Sequence, residues 1–320
     1  AELPALSDPQ AKQLGKVASG KADFHAEILD KLNFERAVKF LRKVVASEAP
    51  CDWGLAWEEG IAMPTPHVAK MLEFSTVTLV LAESKFANDE TAEGMDFLLM
   101  AHHISRDLGV TPLLISNVAQ NALERRAIAA AARHCMKWDA AEREDYARRL
   151  AALPELNPLH RAFLTELLWV DRFKNKLEGN FEEASMKLGL SALNNDQLES
   201  PELIEEMIGN YRKMHARAMA VLKLEGEARN LALTELGKEI AAHKDLPGNV
   251  LVSLLMPTLD GMVRSEDQTL IARAMLESAL EHGPEISEKD LDGKPFQWVR
   301  KDGVVELNSE GLDFSLKFGK

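Results

Sequence analysis

From about residue 34 to residue 282 apolar side chains recur every three or four positions, a spacing that confines most of this chain to helices. Phe34, Val38, Leu41 and Val45 fall at i, i+4, i+7 and i+11, which places one stripe along a helix that Asn33 is positioned to cap and Pro50 to close. Gly54, Gly60, Pro64 and Pro66 forbid a long regular element between Cys51 and Pro66, so this stretch reads as a structured loop. Periodicity resumes from His67 to Phe86 and again from Thr91 to Leu108, with Gly109 as the expected stop; these two segments predict a helical hairpin. The next segment, Pro112 to Trp138, carries Ala127 and the run from Ala129 to Ala132. Small side chains let neighbouring helices approach closely, so this helix is expected at the centre. Further helices are expected over 139–153, 158–177, 201–224, 227–243, 249–262 and 266–282, with Gly283 and Pro284 ending the last.

Beyond that point the pattern changes to short alternating runs. Phe296 to Arg300 and Val304 to Leu307 flank Asp302 and Gly303, a hairpin signature, and a third strand is expected at Phe314 to Phe318. No fixed repeat period is present. The resulting expectation is a mainly α fold: an irregular, solenoid-like array of antiparallel helical hairpins over residues 1–283, then a small antiparallel β-hairpin or three-stranded sheet over 284–320. That appendage should pack on or next to the last helix.

Charge narrows the function classes. Lysine and arginine total 38 against 51 aspartates and glutamates, a net charge of -13 that repels nucleic acid, and the arginine-rich stretches around Arg125 and Arg148 are interleaved with glutamates. The most apolar run, Val250 to Met256, is far short of the roughly 20 residues that span a bilayer. The chain begins at Ala1 without an initiator methionine, as after removal of a signal peptide, membrane anchor or tag, so export is expected, with cytoplasmic residence as the alternative. Cys51 and Cys135 are either two thiols or one disulfide.

Several residue groups could carry chemistry. Gly15 to Ala22 matches part of a phosphate-binding loop, but Ala22 supplies no hydroxyl for magnesium and no buried strand precedes it, so the match reads as coincidence. His103 and Asp107 share a helix face at i, i+4, whereas His102 points about 100° away and no third metal ligand follows; no metal is expected. No motif for a dinucleotide, calcium or any other cofactor occurs, so none is expected. His134 and Cys135 could meet Cys51 as base and thiol, although an inert buried cysteine is the plainer reading.

Two features stand out. Asn117, Gln120, Asn121 and Glu124 fall at i, i+3, i+4 and i+7, a polar stripe on the alanine-rich helix. If that helix is central, the stripe either bonds to neighbouring helices or lines a polar groove that His67 could join. Trp53 and Trp57 concentrate aromatic surface in one loop, as a partner anchor or as a cover over a core edge.

Cys51-Asp52-Trp53-Gly54, Glu58-Glu59-Gly60, Pro66-His67, the run Asp107 to Ser116, Ala122-Leu123-Glu124, Leu254 to Pro257 and Asp292 to Trp298 together resemble a family of uncharacterised bacterial envelope proteins. The resemblance implies an N-terminal hydrophobic anchor ahead of a helical region and residence outside the cytoplasm. It implies no activity. Asp292 to Phe296 is also similar to the start of the small sheet in secretion-system pseudopilins, but the Tyr-Pro of those proteins is replaced by Gly283-Pro284.

The leading expectation is a non-enzymatic binding or scaffold protein of the bacterial cell envelope that meets a protein partner through Trp53 and Trp57. The alternative is a small-molecule-binding protein or hydrolase-like enzyme using Asn117, Gln120, Asn121, Glu124 and His67. A pilus-like structural role resting on the last helix and sheet comes third.

Overall fold

The structure, a computed structural model, describes residues 3, 6–25, 27, 34–47, 51–57, 63–179, 201–243, 247–249, 251–252, 256, 258–282, 297–301, 304–309 and 314–319. The chain order is α1 (Asp8–Ala18), α2 (Glu35–Val45), α3 (Pro66–Ala87), α4 (Thr91–Val110), α5 (Leu114–Cys135), α6 (Ala140–Ala151), α7 (Leu159–Gly179), α8 (Pro201–Val221), α9 (Gly226–His243) and α10 (Leu259–His282), then β1 (Gln297–Lys301), β2 (Val304–Ser309) and β3 (Phe314–Phe318). The fold is mainly helical with a small C-terminal antiparallel sheet, as the periodicity predicts. No described helix is long and apolar enough to cross a membrane.

Local chemistry explains the sharpest boundaries. Asp139 opens α6 with a reciprocal cap: its Oδ1 accepts the Glu142 amide at 2.8 Å while Glu142 Oε2 accepts the Asp139 amide at 2.9 Å. Helix α4 departs from expectation, because Gly109 does not stop it and the helix runs on to Val110. The glycine is there for space: a Cβ at position 109 would lie 1.5 Å from Gln120 Oε1. Two helices expected over 249–262 and 266–282 also differ, since α10 runs unbroken from Leu259 to His282. The Asn33 cap, the Gly283-Pro284 stop and the Asp302-Gly303 turn lie outside the described residues.

Helix α5 is central. Ala127, Ala130, Ala131 and Ala132 are buried, and α3, α4, α10 and β3 all pack against the helix. The absence of bulk at these positions is what allows so many elements to reach one axis. The sheet, in order β1-β2-β3, sets Trp298 opposite Leu307 and Leu307 opposite Leu316, and Lys301 pairs with Val304. Its inner face (Val305, Leu307, Leu316, Phe318) joins the core that α5 occupies, and the Gly319 amide donates to the Ala132 carbonyl at 3.2 Å. A second core gathers Phe163, Ile208, Tyr211, Leu233 and Leu236 from α7, α8 and α9. Helix α10 serves both, with Leu259 and Val263 in the second core and Ile271 to Leu280 in the first.

Candidate functional site

The polar stripe of α5 is wholly buried and wholly engaged. Asn117 Nδ2 donates to the Asn157 carbonyl at 2.7 Å, and Gln120 Nε2 donates to the same oxygen at 3.0 Å. Gln120 Oε1 accepts the Asn157 amide at 3.0 Å, and Asn121 Nδ2 donates to Asn117 Oδ1 at 3.2 Å. The stripe thus fastens the segment between α6 and α7 to the central helix. Such satisfaction is the usual condition for burying amides.

Glu124, one turn further along, is 0% exposed. Arg106 Nη2 donates to its Oε1 at 3.2 Å, the Ser105 hydroxyl donates to Oε2, and His102 Nδ1 lies 2.9 Å from Oε1. Arg106 is itself tied to the end of α6, donating to the Leu150 carbonyl at 3.5 Å and to the Pro154 carbonyl just beyond the helix at 2.7 Å. Burial by itself would raise the Glu124 pKa, but His102, Arg106 and Ser105 outweigh it and hold the carboxyl down at about 2. The result is a permanently charged, closed ion cluster joining α4, α5 and α6. Sequence alone did not pair His102, Ser105 and Arg106 with Glu124, although their spacing along α4 puts one face of that helix opposite α5.

His67 does not join this stripe. Its ring stacks on Trp53 at 5.1 Å and 24°, and both ring nitrogens are buried without a hydrogen-bond partner, as is Trp53 Nε1. Burial lowers the His67 pKa, so the ring is held neutral. Asp52 Oδ1 accepts the Gly54 amide at 2.9 Å, forming the tight turn that folds Trp53 back onto α3. Trp57 packs with Met63 and Leu113. The two tryptophans therefore cover helix ends.

The remaining sequence candidates separate. His103 Nε2 pairs with Asp107 at 3.4 Å on α4, away from the face that carries His102 to Glu124. Among the described residues no three His, Cys, Asp or Glu side chains converge as metal ligands. Cys51 and Cys135 are free thiols; burial pushes Cys51 up to about 11 and Cys135 to about 12, which makes both poor nucleophiles. Gly15 and Lys16 lie inside α1.

A concavity that sequence reasoning missed opens where α3 ends, α4 begins and α5 ends. Its volume is about 250 Å³, and its lining includes Glu83, Phe86, Asp89, His134, Lys137 and Trp138. Glu83 is fixed by Arg133, whose Nη2 donates to Oε1 at 2.8 Å, and His134 Nε2 lies 3.1 Å from Oε2. Phe86 stacks on His134 with centroids 4.0 Å apart, and Trp138 tilts against Phe86 at 6.1 Å. The concavity thus has a rigid, internally paired floor with aromatic surface. The sequence signal available for it was Asp89 at a helix end where glycine is usual.

No family model, curated protein or solved structure matches this chain.

Proposed function

We propose that this chain acts by binding, as a non-enzymatic scaffold protein of the bacterial cell envelope. The observation that carries the reading is the state of Glu124. A general acid or base must reach its substrate and titrate near the working pH. Glu124 is closed off from solvent, spent on Arg106, Ser105 and His102, and ionised down to about pH 2. The envelope location rests on the resemblance carried by Cys51 to Gly54 and the other short motifs. A protein partner would meet the exposed turn at Asp52 and Gly54, which has Trp53 stacked on His67 behind it.

Two measurements test this together: capture of partners from bacterial envelope extracts on the immobilised chain, and hydrolysis assays over a panel of esters and amides. A partner held in stoichiometric amount and released by Asp52→Lys, with no turnover, supports the reading. Turnover that disappears in Glu124→Gln would overturn it.

A second reading, a small-molecule-binding protein, is favoured by a separate observation: the concavity at Phe86 and Trp138, which is already formed and needs no rearrangement to admit a ligand.

A further inference from the structure

Two charges on the concavity are not used by the fold. Helix α3 ends in a Schellman arrangement: the Glu90 amide donates to the Lys85 carbonyl at 2.9 Å and the Asp89 amide to the Phe86 carbonyl at 3.3 Å. Asp89 occupies the left-handed position of that motif, with φ at 59°, where glycine is free of strain and a residue with a Cβ is not. Stability therefore favours glycine here, yet the chain has a carboxylate, exposed on the lining and in no ion pair with a described residue. The neighbouring charges are spoken for, since Lys85 holds Glu90 at 2.5 Å and Glu93 at 2.7 Å. On the same lining, Lys137 is likewise exposed and makes no ion pair with a described residue, while the Glu83 carboxylate is held by Arg133.

The same lining carries Phe86 and Trp138, and Trp138 Nε1, in a residue only 4% exposed, has no hydrogen-bond partner among the described residues. The volume of about 250 Å³ lies just below the roughly 300–1,000 Å³ of sites for drug-sized ligands, so a smaller molecule fits it better. A compact molecule bearing one positive group, one negative group and an apolar body satisfies all of these features. A peptide terminus supplies only one of the two charges.

We propose that this concavity binds a free α-amino acid with a large apolar side chain, its ammonium group at Asp89, its carboxylate at Lys137 and its side chain against Phe86 and Trp138. The proposal rests on the small-molecule reading above and names its ligand class.

The test is calorimetric titration of the full chain with L-phenylalanine, and with 3-phenylpropionate and 2-phenylethylamine, which each lack one charge. L-phenylalanine is expected to bind saturably, and each analogue to bind weaker by roughly tenfold or more. Asp89→Gly separates site from fold, because it should raise the melting temperature while weakening L-phenylalanine by roughly tenfold or more. Lys137→Met should weaken binding similarly with the melting temperature unchanged. Undiminished affinity in Asp89→Gly overturns the proposal, as does the absence of saturable binding by L-phenylalanine, L-leucine and L-tryptophan. If amino acids fail but other small fragments shift the Trp138 indole resonance, this ligand class falls and the small-molecule reading stands. If fragments fail too, both fall.

Discussion

Gln120 holds the main chain of Asn157 at both ends of its polar reach, its amide donating to the carbonyl and its own carbonyl accepting the N–H, each at 3.0 Å. The side chain can lie there only because position 109, on the neighbouring helix, carries no Cβ. Gly109→Ala is therefore expected to destabilise the protein by about 1–3 kcal/mol through overpacking, against an intrinsic helix preference of about 1 kcal/mol for alanine. Urea unfolding would show it. The double variant Gly109→Ala, Gln120→Ala should lose less than the sum of the two single losses, since the clash disappears with the amide. Additive losses would mean that the two residues do not meet.

Glu124→Gln keeps the shape of the buried cluster and removes its negative charge, leaving Arg106 with carbonyl partners only. An uncompensated buried cation is expensive, so a loss of about 3–5 kcal/mol is expected in chemical denaturation. The acid limb gives an independent check. The folded carboxyl titrates at about 2 against 4.5 for the free group, so its stabilisation is complete above pH 4.5 and disappears as pH falls toward 2. Wild type should lose on the order of 3 kcal/mol over that interval from this group, and Glu124→Gln should lack this component.

These two cases show what the sequence could and could not carry. The i, i+3, i+4, i+7 placement of Asn117, Gln120, Asn121 and Glu124, with the alanines around them, already required a stripe on a central helix, because helical geometry is local. Whether the stripe met water, a ligand or other helices depended on α4 and on the Asn157 segment, which lie 18 and 37 residues from Glu124 and Gln120 along the chain. Gly109 misled for a related reason: glycine ends helices by backbone freedom but also admits a close neighbour, and only the packed structure distinguishes the two uses. Asp89 was legible as an aspartate where α3 had to turn, but the concavity that it lines with Lys137 and Trp138 exists only in the packed structure.

His67 carries two buried ring nitrogens without partners under the Trp53 ring. Burying an unsatisfied polar group costs about 1–3 kcal/mol, whereas the stacking contact needs only an aromatic ring. His67→Phe is therefore expected to raise the thermal midpoint while leaving the tryptophan environment intact by near-ultraviolet circular dichroism. A lowered midpoint would reveal that His67 has a polar partner in solution, and its identity would then become the question to pursue.

Glu166 sets the pH response at the opposite end of the scale from Glu124. It is 7% exposed on α7, accepts a hydrogen bond from the Leu114 amide that opens α5, and adds to the rise that burial already imposes on the pKa of the Tyr211 phenol. His215, on the same helix as Tyr211, is occupied by the Phe163 carbonyl at 2.6 Å and is held down by burial. Burial pushes the Glu166 carboxyl up to about 7, and Glu266 on α10, which accepts the Leu159 amide at 2.6 Å, is raised for the same reason. A folded pKa above the unfolded value means that the folded state holds the proton more tightly. The stabilisation is therefore complete below pH 4.5 and is lost as pH rises through 7, by on the order of 3 kcal/mol for Glu166. Glu166→Gln retains the acceptor for the Leu114 amide and cannot ionise, so it should match wild type near about pH 5 and exceed it near about pH 8. Guanidinium titrations at those two values decide it: equal slopes of stability against pH in both proteins would mean that Glu166 meets solvent when it ionises.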